Sequence, residues 1–132
     1  MEPQKVLYVR ITDYTRQLDG DAALPEKLWP LPLGITKVRR AEGNEAENVF
    51  FRGGCIFLRD PRISRDHGVL DYRCEDPLVL YYRDTSTNGT ISNRKKIRDK
   101  EVVIKPGDSL GFGRSGDRPS YNMEFLKSEP TE

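Results

Sequence analysis

The sequence predicts an all-β sandwich. Short runs rich in β-branched and aromatic residues recur roughly every ten residues, turn-forming residues separate them, and no convincing amphipathic helix lies between. Residues 5–11 (Lys-Val-Leu-Tyr-Val-Arg-Ile) form the first expected strand. Residues 12–32 are polar and carry several prolines, which rule out a regular helix and suggest a loop. In that loop Trp29 either packs onto the body or stands exposed as a contact residue. Gly34–Arg40 resumes an extended pattern, and the acidic, small-residue segment 41–48 reads as a surface loop. Val49–Arg52 and Cys55–Leu58 are apolar runs split by Gly53-Gly54, the mark of a tight turn or bulge. Further strands are expected at 68–72, 78–82, 101–104, 109–113 and 121–126. Glu75-Asp76-Pro77 reads as a turn, and Asn88-Gly89 as a two-residue hairpin, because both positions tolerate positive φ.

The 132 residues suit one domain, spanning 1–127 with its core at 33–126, and a polar tail at 128–132. Charged residues are 33% and hydrophobic residues 36%, as expected for a soluble globular chain without a membrane span. The polar N-terminus shows no secretory signal, so an intracellular protein is expected. A formal net charge of +1 argues against a general nucleic-acid binder. Cys55 and Cys74 read as buried reduced thiols, too few, with the single His67, for a structural zinc site. One histidine without a patterned nucleophile also argues against a hydrolytic enzyme, and no cofactor is implied.

Three loop segments place polar residues between apolar strands: Val38-Arg39-Arg40, Arg62-Ile63-Ser64-Arg65-Asp66-His67 and Asp84-Thr85-Ser86-Thr87-Asn88-Gly89-Thr90. Arginine offers a fixed fork of donors that suits a phosphate. Serine and threonine add short hydroxyl donors, and loop N–H groups can form an anion nest. Asparagine presents a donor and an acceptor together, fit for the main chain of an extended peptide. The set binds a phosphorylated side chain and its surroundings; it lacks the general base and activated nucleophile of a bond-breaking site.

Arg-Ile-Ser-Arg-Asp-His followed by Asp-Thr-Ser-Thr-Asn-Gly-Thr resembles the signature of the forkhead-associated (FHA) family, with its Ser-x-x-His loop and later Asn-Gly turn. Residues 104–113, with Gly107-Asp108 and a strand ending in Gly113, resemble the family's late turn. The resemblance runs from about Ile35 to Phe125. It implies an eleven-stranded sandwich that reads phosphothreonine through loops at one end. Carried over by position, it implies that Ser64 and Arg65 meet the phosphate and that Thr87 lies beside the phosphate and the threonine methyl. It further implies that Asn88 bonds the peptide main chain, that His67 buttresses the loops and that Gly89 permits the turn. Arg62, two residues before the serine, would favour an acidic residue three positions after the phosphothreonine.

One departure concerns the family's Gly-Arg pair. Arg39 stands where the glycine belongs, Arg40 is the matching phosphate arginine, and the stretch from Arg40 to Ser64 is longer than usual. Arg52, next to Gly53, is therefore a rival to Arg40. Arg62 and Arg65 also fit plain surface positions, and the run Arg94-Lys95-Lys96 reads either as a solvated turn or as a contributor to the field around the phosphate. The implied partner is a threonine-phosphorylated protein in kinase-dependent signalling. In a eukaryote, family membership points to a nuclear kinase or DNA-damage checkpoint scaffold. The alternative is a phosphate-independent interaction or homodimerisation module.

Overall fold

A computed structural model describes residues 7–16, 26–43, 47–115 and 118–127. The expected tail, 128–132, and the first two residues of the expected 5–11 strand lie outside them. The described residues form an all-β sandwich of twelve strands with a single turn of 3-10 helix at Tyr14–Arg16. One sheet has the order β2-β1-β12-β11-β8-β9, built from β1 (Tyr8–Asp13), β2 (Glu26–Pro30), β8 (Thr90–Ser92), β9 (Lys95–Ile97), β11 (Ser109–Ser115) and β12 (Arg118–Leu126). The other has the order β10-β7-β6-β3-β5-β4, from β3 (Gly34–Arg40), β4 (Val49–Arg52), β5 (Cys55–Leu58), β6 (Asp66–Glu75), β7 (Leu78–Asp84) and β10 (Glu101–Val103). Alternate residues of both sheets point inward, and Val9, Ile11, Val38, Ile56, Leu58, Leu70, Leu80, Phe112 and Phe125 are fully buried between them.

Twelve strands stand where eleven were implied, and three of them, β2, β8 and β9, were not expected from the sequence. β2 replaces part of the expected loop. It lies at a sheet edge, pairs with β1 and ends in Pro30, a position where a missing N–H is tolerated. Trp29 is thus a strand residue, half-buried against Phe51 with ring centroids 6.2 Å apart. β8 and β9 are three residues each and largely polar, so their strand signal is weak.

Turn chemistry separates two cases. The Gly53-Gly54 turn joins β4 to β5, with φ of 58° and 76°. Asn88-Gly89, by contrast, closes no hairpin. The chain leaves β7 in one sheet and enters β8 in the other, so this loop crosses the sandwich at the end where the site lies. The two-residue hairpin sits further on, between β8 and β9, where Asn93 and Arg94 take φ of 47° and 72°. Cys55 and Cys74 are free thiols, half-exposed rather than buried; Cys55 alternates outward with Phe57 along β5.

Candidate functional site

β3 and β5 run parallel, so their C-terminal ends, Arg40 and Leu58, lie side by side at one end of the sandwich. The loops that follow β3, β5 and β7 meet there. Arg40 has the inward parity of Thr36 and Val38, but at the strand end it is only half-buried. Its Nη1 donates to the Ile63 carbonyl at 3.3 Å, and its backbone N–H donates to the Arg65 carbonyl. Its Nη2 donates to Oε1 of Glu42 at 3.0 Å, and the same oxygen lies 3.2 Å from Nε of Arg65. The bond from Arg40 and the charge of Arg65 hold the exposed Glu42 carboxyl below its ordinary range. Two arginines, one at the end of β3 and one in the loop between β5 and β6, thus converge on one carboxylate.

Ser64 joins this cluster to the β7–β8 loop. Its Oγ accepts the Thr87 N–H at 2.9 Å, and its own N–H donates to Nδ1 of His67 at 3.1 Å. Nδ1 therefore carries no proton, and Nε2 donates to the Gly89 carbonyl at 3.0 Å. One buried imidazole ties the two loops together, edge-on to Phe112 at 5.3 Å. Burial lowers the His67 pKa below the ordinary 6.5, more than the Asp84 charge and the Gly89 carbonyl raise it. The unfolded chain would protonate this histidine as pH falls below about 6.5, whereas the folded ring resists. Stability is therefore expected to decline from pH 7 to pH 5. Because the chain has one histidine, proton NMR of its ring signals checks this directly. The signals should titrate near 6.5 in urea and clearly lower in the folded protein; equal values would refute it.

The β7–β8 loop hangs on buried Asp84. Its Oδ1 accepts bonds from Ser86 Oγ at 2.6 Å and Thr90 Oγ1 at 2.7 Å, and its Oδ2 accepts the Asp99 N–H at 2.9 Å. Ser86 Oγ in turn accepts the Gly89 N–H at 2.8 Å. Gly89 has φ of 88°, and a Cβ there would stand 2.8 Å from both the Ile97 carbonyl and the Lys96 stem. Thr87 and Asn88 are left exposed at the tip, with Asn88 Nδ2 donating to the Arg62 carbonyl at 3.1 Å.

Beside Asn88 opens a cavity of about 180 Å³, lined by Arg62, Asn88, Gly89, Ile91, Lys96, Gly111 and Gly113. The Arg62 guanidinium is fixed by a two-pronged pair with buried Asp60, Nε to Oδ1 at 2.9 Å and Nη2 to Oδ2 at 2.8 Å, and by Ser120 Oγ at 3.0 Å. Burial alone would push the Asp60 carboxyl up, but the bonds from Arg62 and Ser120 outweigh it and hold the carboxyl below its usual value. On the other side, a recess of about 170 Å³ is lined by Arg39, Arg40, Arg52, Arg65 and Glu42 with the stacked Phe50–Phe57 pair. Arg39 pairs with Asp66 at 3.1 Å. Arg52 lies over the Phe50 ring at 5.0 Å, on the outer sheet face, and its register partner Cys55 is level with Lys37.

The structure therefore gathers Arg40, Ser64, Arg65, Thr87, Asn88, Arg62, His67 and Gly89 at one end of the sandwich. Arg52 reaches the same recess from lower down the sheet. Glu42 and Asp60 were not singled out from the sequence, Asp84 was named only as the start of its loop segment, and Lys96 only within the basic run 94–96. Asp84-Thr85-Ser86 carried a signal, an acid followed two residues later by a hydroxyl, which is a common local turn. No group of three or more potential metal ligands occurs among the described residues, and no described helix is long and apolar enough to cross a membrane.

Comparison with known proteins places this geometry. The model of the FHA domain family matches residues 52–113. No curated protein matches the sequence. Among solved structures, the yeast Pml1 splicing factor has a TM-score of 0.65 at 22% identity, over 93% of this chain and 80% of that one. The yeast Dun1 FHA domain, solved with a doubly phosphorylated peptide derived from Rad53, has a TM-score of 0.60 at 20% identity, over 100% and 85%. EmbR of Mycobacterium tuberculosis, solved with a low-affinity phosphopeptide, has a TM-score of 0.61 at 21% identity, over 98% of this chain and 26% of that one. The sequence pattern of the FHA domain family thus spans the central loops of this chain, and the described strands share the fold of these solved structures.

Proposed function

We propose that the chain is a non-catalytic reader of phosphothreonine in partner proteins, acting in kinase-dependent signalling. The observation that carries this reading is the convergence of Arg40 and Arg65 on a single carboxylate oxygen of Glu42, beside Ser64 and Thr87. A site that already holds one anion between two guanidinium groups can hold a phosphate there, with its larger charge and additional acceptor oxygens. Ser64 would donate its hydroxyl to a phosphate oxygen, since its Oγ already accepts from Thr87 N–H. Thr87 would flank the phosphate and the threonine methyl, and Asn88 would bond the peptide main chain. His67 and Gly89 would hold the loops in place. Arg62, held by Asp60 and facing the cavity shared with Lys96, would select an acidic residue three positions after the phosphothreonine. The phosphopeptide complexes of the Dun1 and EmbR neighbours support this reading.

Fluorescence anisotropy with a labelled pThr-x-x-Asp peptide, its phosphoserine form and its unphosphorylated form tests it. Binding is expected in the order pThr, pSer, none, and an aliphatic residue in place of the aspartate should weaken it. Equal binding with and without phosphate would instead favour a phosphate-independent docking module. The feature that would then matter is the outer-face row Ile35–Asp71–Tyr81–Val103, whose ends Ile35 and Val103 are 56% and 57% exposed.

A further inference from the structure

The cavity beside Asn88 does not end at Gly113. It continues into a trench of about 560 Å³ along the outer face of the β9-β8-β11-β12 sheet, lined by Ile91, Arg94, Lys96, Ser109, Gly111, Pro119 and Asn122. The two hollows share Ile91, Lys96 and Gly111. The trench floor is one cross-strand row, with Lys96 opposite Ile91, Ile91 opposite Gly111 and Gly111 opposite Asn122. Gly111 makes the dip. A Cβ there would stand 3.0 Å from Pro119 and 3.2 Å from Ile91, so the missing side chain lets these two apolar groups close the floor.

Among the described residues that line it, the charged ones are of one sign: Arg94 and Lys96, with no acid beside them. Glu124, opposite Ser109 in the neighbouring row, is engaged by Arg10. The Lys96 stem packs over Gly89, and Lys96 lines both the Asn88 cavity and the trench. Arg94 occupies the second position of the β8–β9 turn at φ 72°, where glycine is the residue of least strain. A row of four strands spans roughly 14 Å, the reach of about four extended residues.

We propose that this trench binds the stretch of the phosphorylated partner immediately C-terminal to the residue read by Arg62, that it prefers acidic side chains there, and that Arg94 and Lys96 select them. This rests on the phosphothreonine reading above. It commits the partner to a strand-like acidic segment of about four residues crossing the sheet face.

Anisotropy titration with three labelled peptides tests it: one ending three residues after the phosphothreonine, one continuing with four glutamates, and one continuing with four lysines. The glutamate extension should tighten binding about fivefold, as two exposed ion pairs can supply, and the lysine extension should not. Arg94→Gly suits the turn and should leave the short peptide within about twofold of wild type while reducing the glutamate gain to about twofold or less. Equal affinity of the three peptides for wild type, or a glutamate gain fully kept in Arg94→Gly, would overturn the trench and leave the phosphothreonine reading standing. Failure of every phosphothreonine peptide to bind the folded protein would overturn both.

Discussion

Replacing Arg40 by alanine is expected to weaken binding of a phosphothreonine peptide about 30- to 100-fold, corresponding to roughly 2–3 kcal/mol for lost charge-assisted bonds. Arg52→Ala is expected to cost threefold or less. The difference follows from position. Arg40 ends β3 beside the loop that carries Ser64, and its guanidinium already holds the Ile63 carbonyl and Glu42. Arg52 starts about three residues lower on the sheet, roughly 10 Å away along the strands, and its guanidinium lies on the Phe50 ring. Arg40→Lys separates charge from geometry: a single ammonium keeps the sign but cannot span both partners with a rigid fork, so about a tenfold loss should remain. Calorimetric titration with the short peptide measures all three. Full affinity in Arg40→Ala together with loss in Arg52→Ala would transfer the role to Arg52.

Asp84→Ala should be the most destabilising change at the site, by about 3–5 kcal/mol in urea denaturation. Its carboxylate is fully buried and accepts from the Ser86 hydroxyl, the Thr90 hydroxyl and the Asp99 N–H. Alanine would leave these donors without their acceptor, each at a cost of about 1–3 kcal/mol where water cannot reach. The damage would spread, because Ser86 also receives the Gly89 N–H and Thr90 shares its hydroxyl with Tyr82 at 2.8 Å. Asp84→Asn keeps one acceptor and nearly the same shape, so it should fall between alanine and wild type. Peptide affinity should drop in both variants even under conditions where they remain folded, because the Thr87–Asn88 tip loses its anchor. A loss below about 1 kcal/mol in Asp84→Ala would show that the loop is held by other contacts.

Much of the framework was legible in the residues. Gly34–Arg40, Val49–Arg52 and Cys55–Leu58 appear in the structure with the boundaries their apolar runs suggested. Gly and Asn residues marked the turns correctly, yet they report only the sign of φ. Asn88-Gly89 meets the same backbone demand in a loop crossing between sheets as it would in a hairpin, and no local signal tells the two apart. The Asn93–Arg94 hairpin was hidden for the converse reason, since its second position carries an arginine. β2 was obscured by its prolines, which an edge strand tolerates. At the site, the side chains proposed to meet the phosphate stood out as polar residues between strands. Their supports did not. Asp84 is an ordinary acid in the sequence until folding brings the Asp99 N–H, fifteen positions on, against it. Glu42 sits in an acidic stretch whose charges look interchangeable until β3 and the Ser64 loop bring Arg40 and Arg65 to one of them.

Glu42 offsets part of the positive charge that Arg40 and Arg65 bring together. Two guanidinium groups held close together without a counter-charge would repel each other and splay; the resident carboxylate keeps them aligned at a lowered pKa. On the reading proposed above, binding would be an exchange of anions, in which the incoming group displaces a carboxylate only two residues from Arg40 and always at hand. An aspartate or glutamate side chain on a partner brings only one negative charge, and swaps like for like while giving up the advantage of that proximity. A phosphate brings nearly twice that charge and a third acceptor oxygen. The internal glutamate would thereby act as a threshold: acidic substitutions in place of phosphothreonine are expected to be poor imitations here, and only the modified residue to open the clamp.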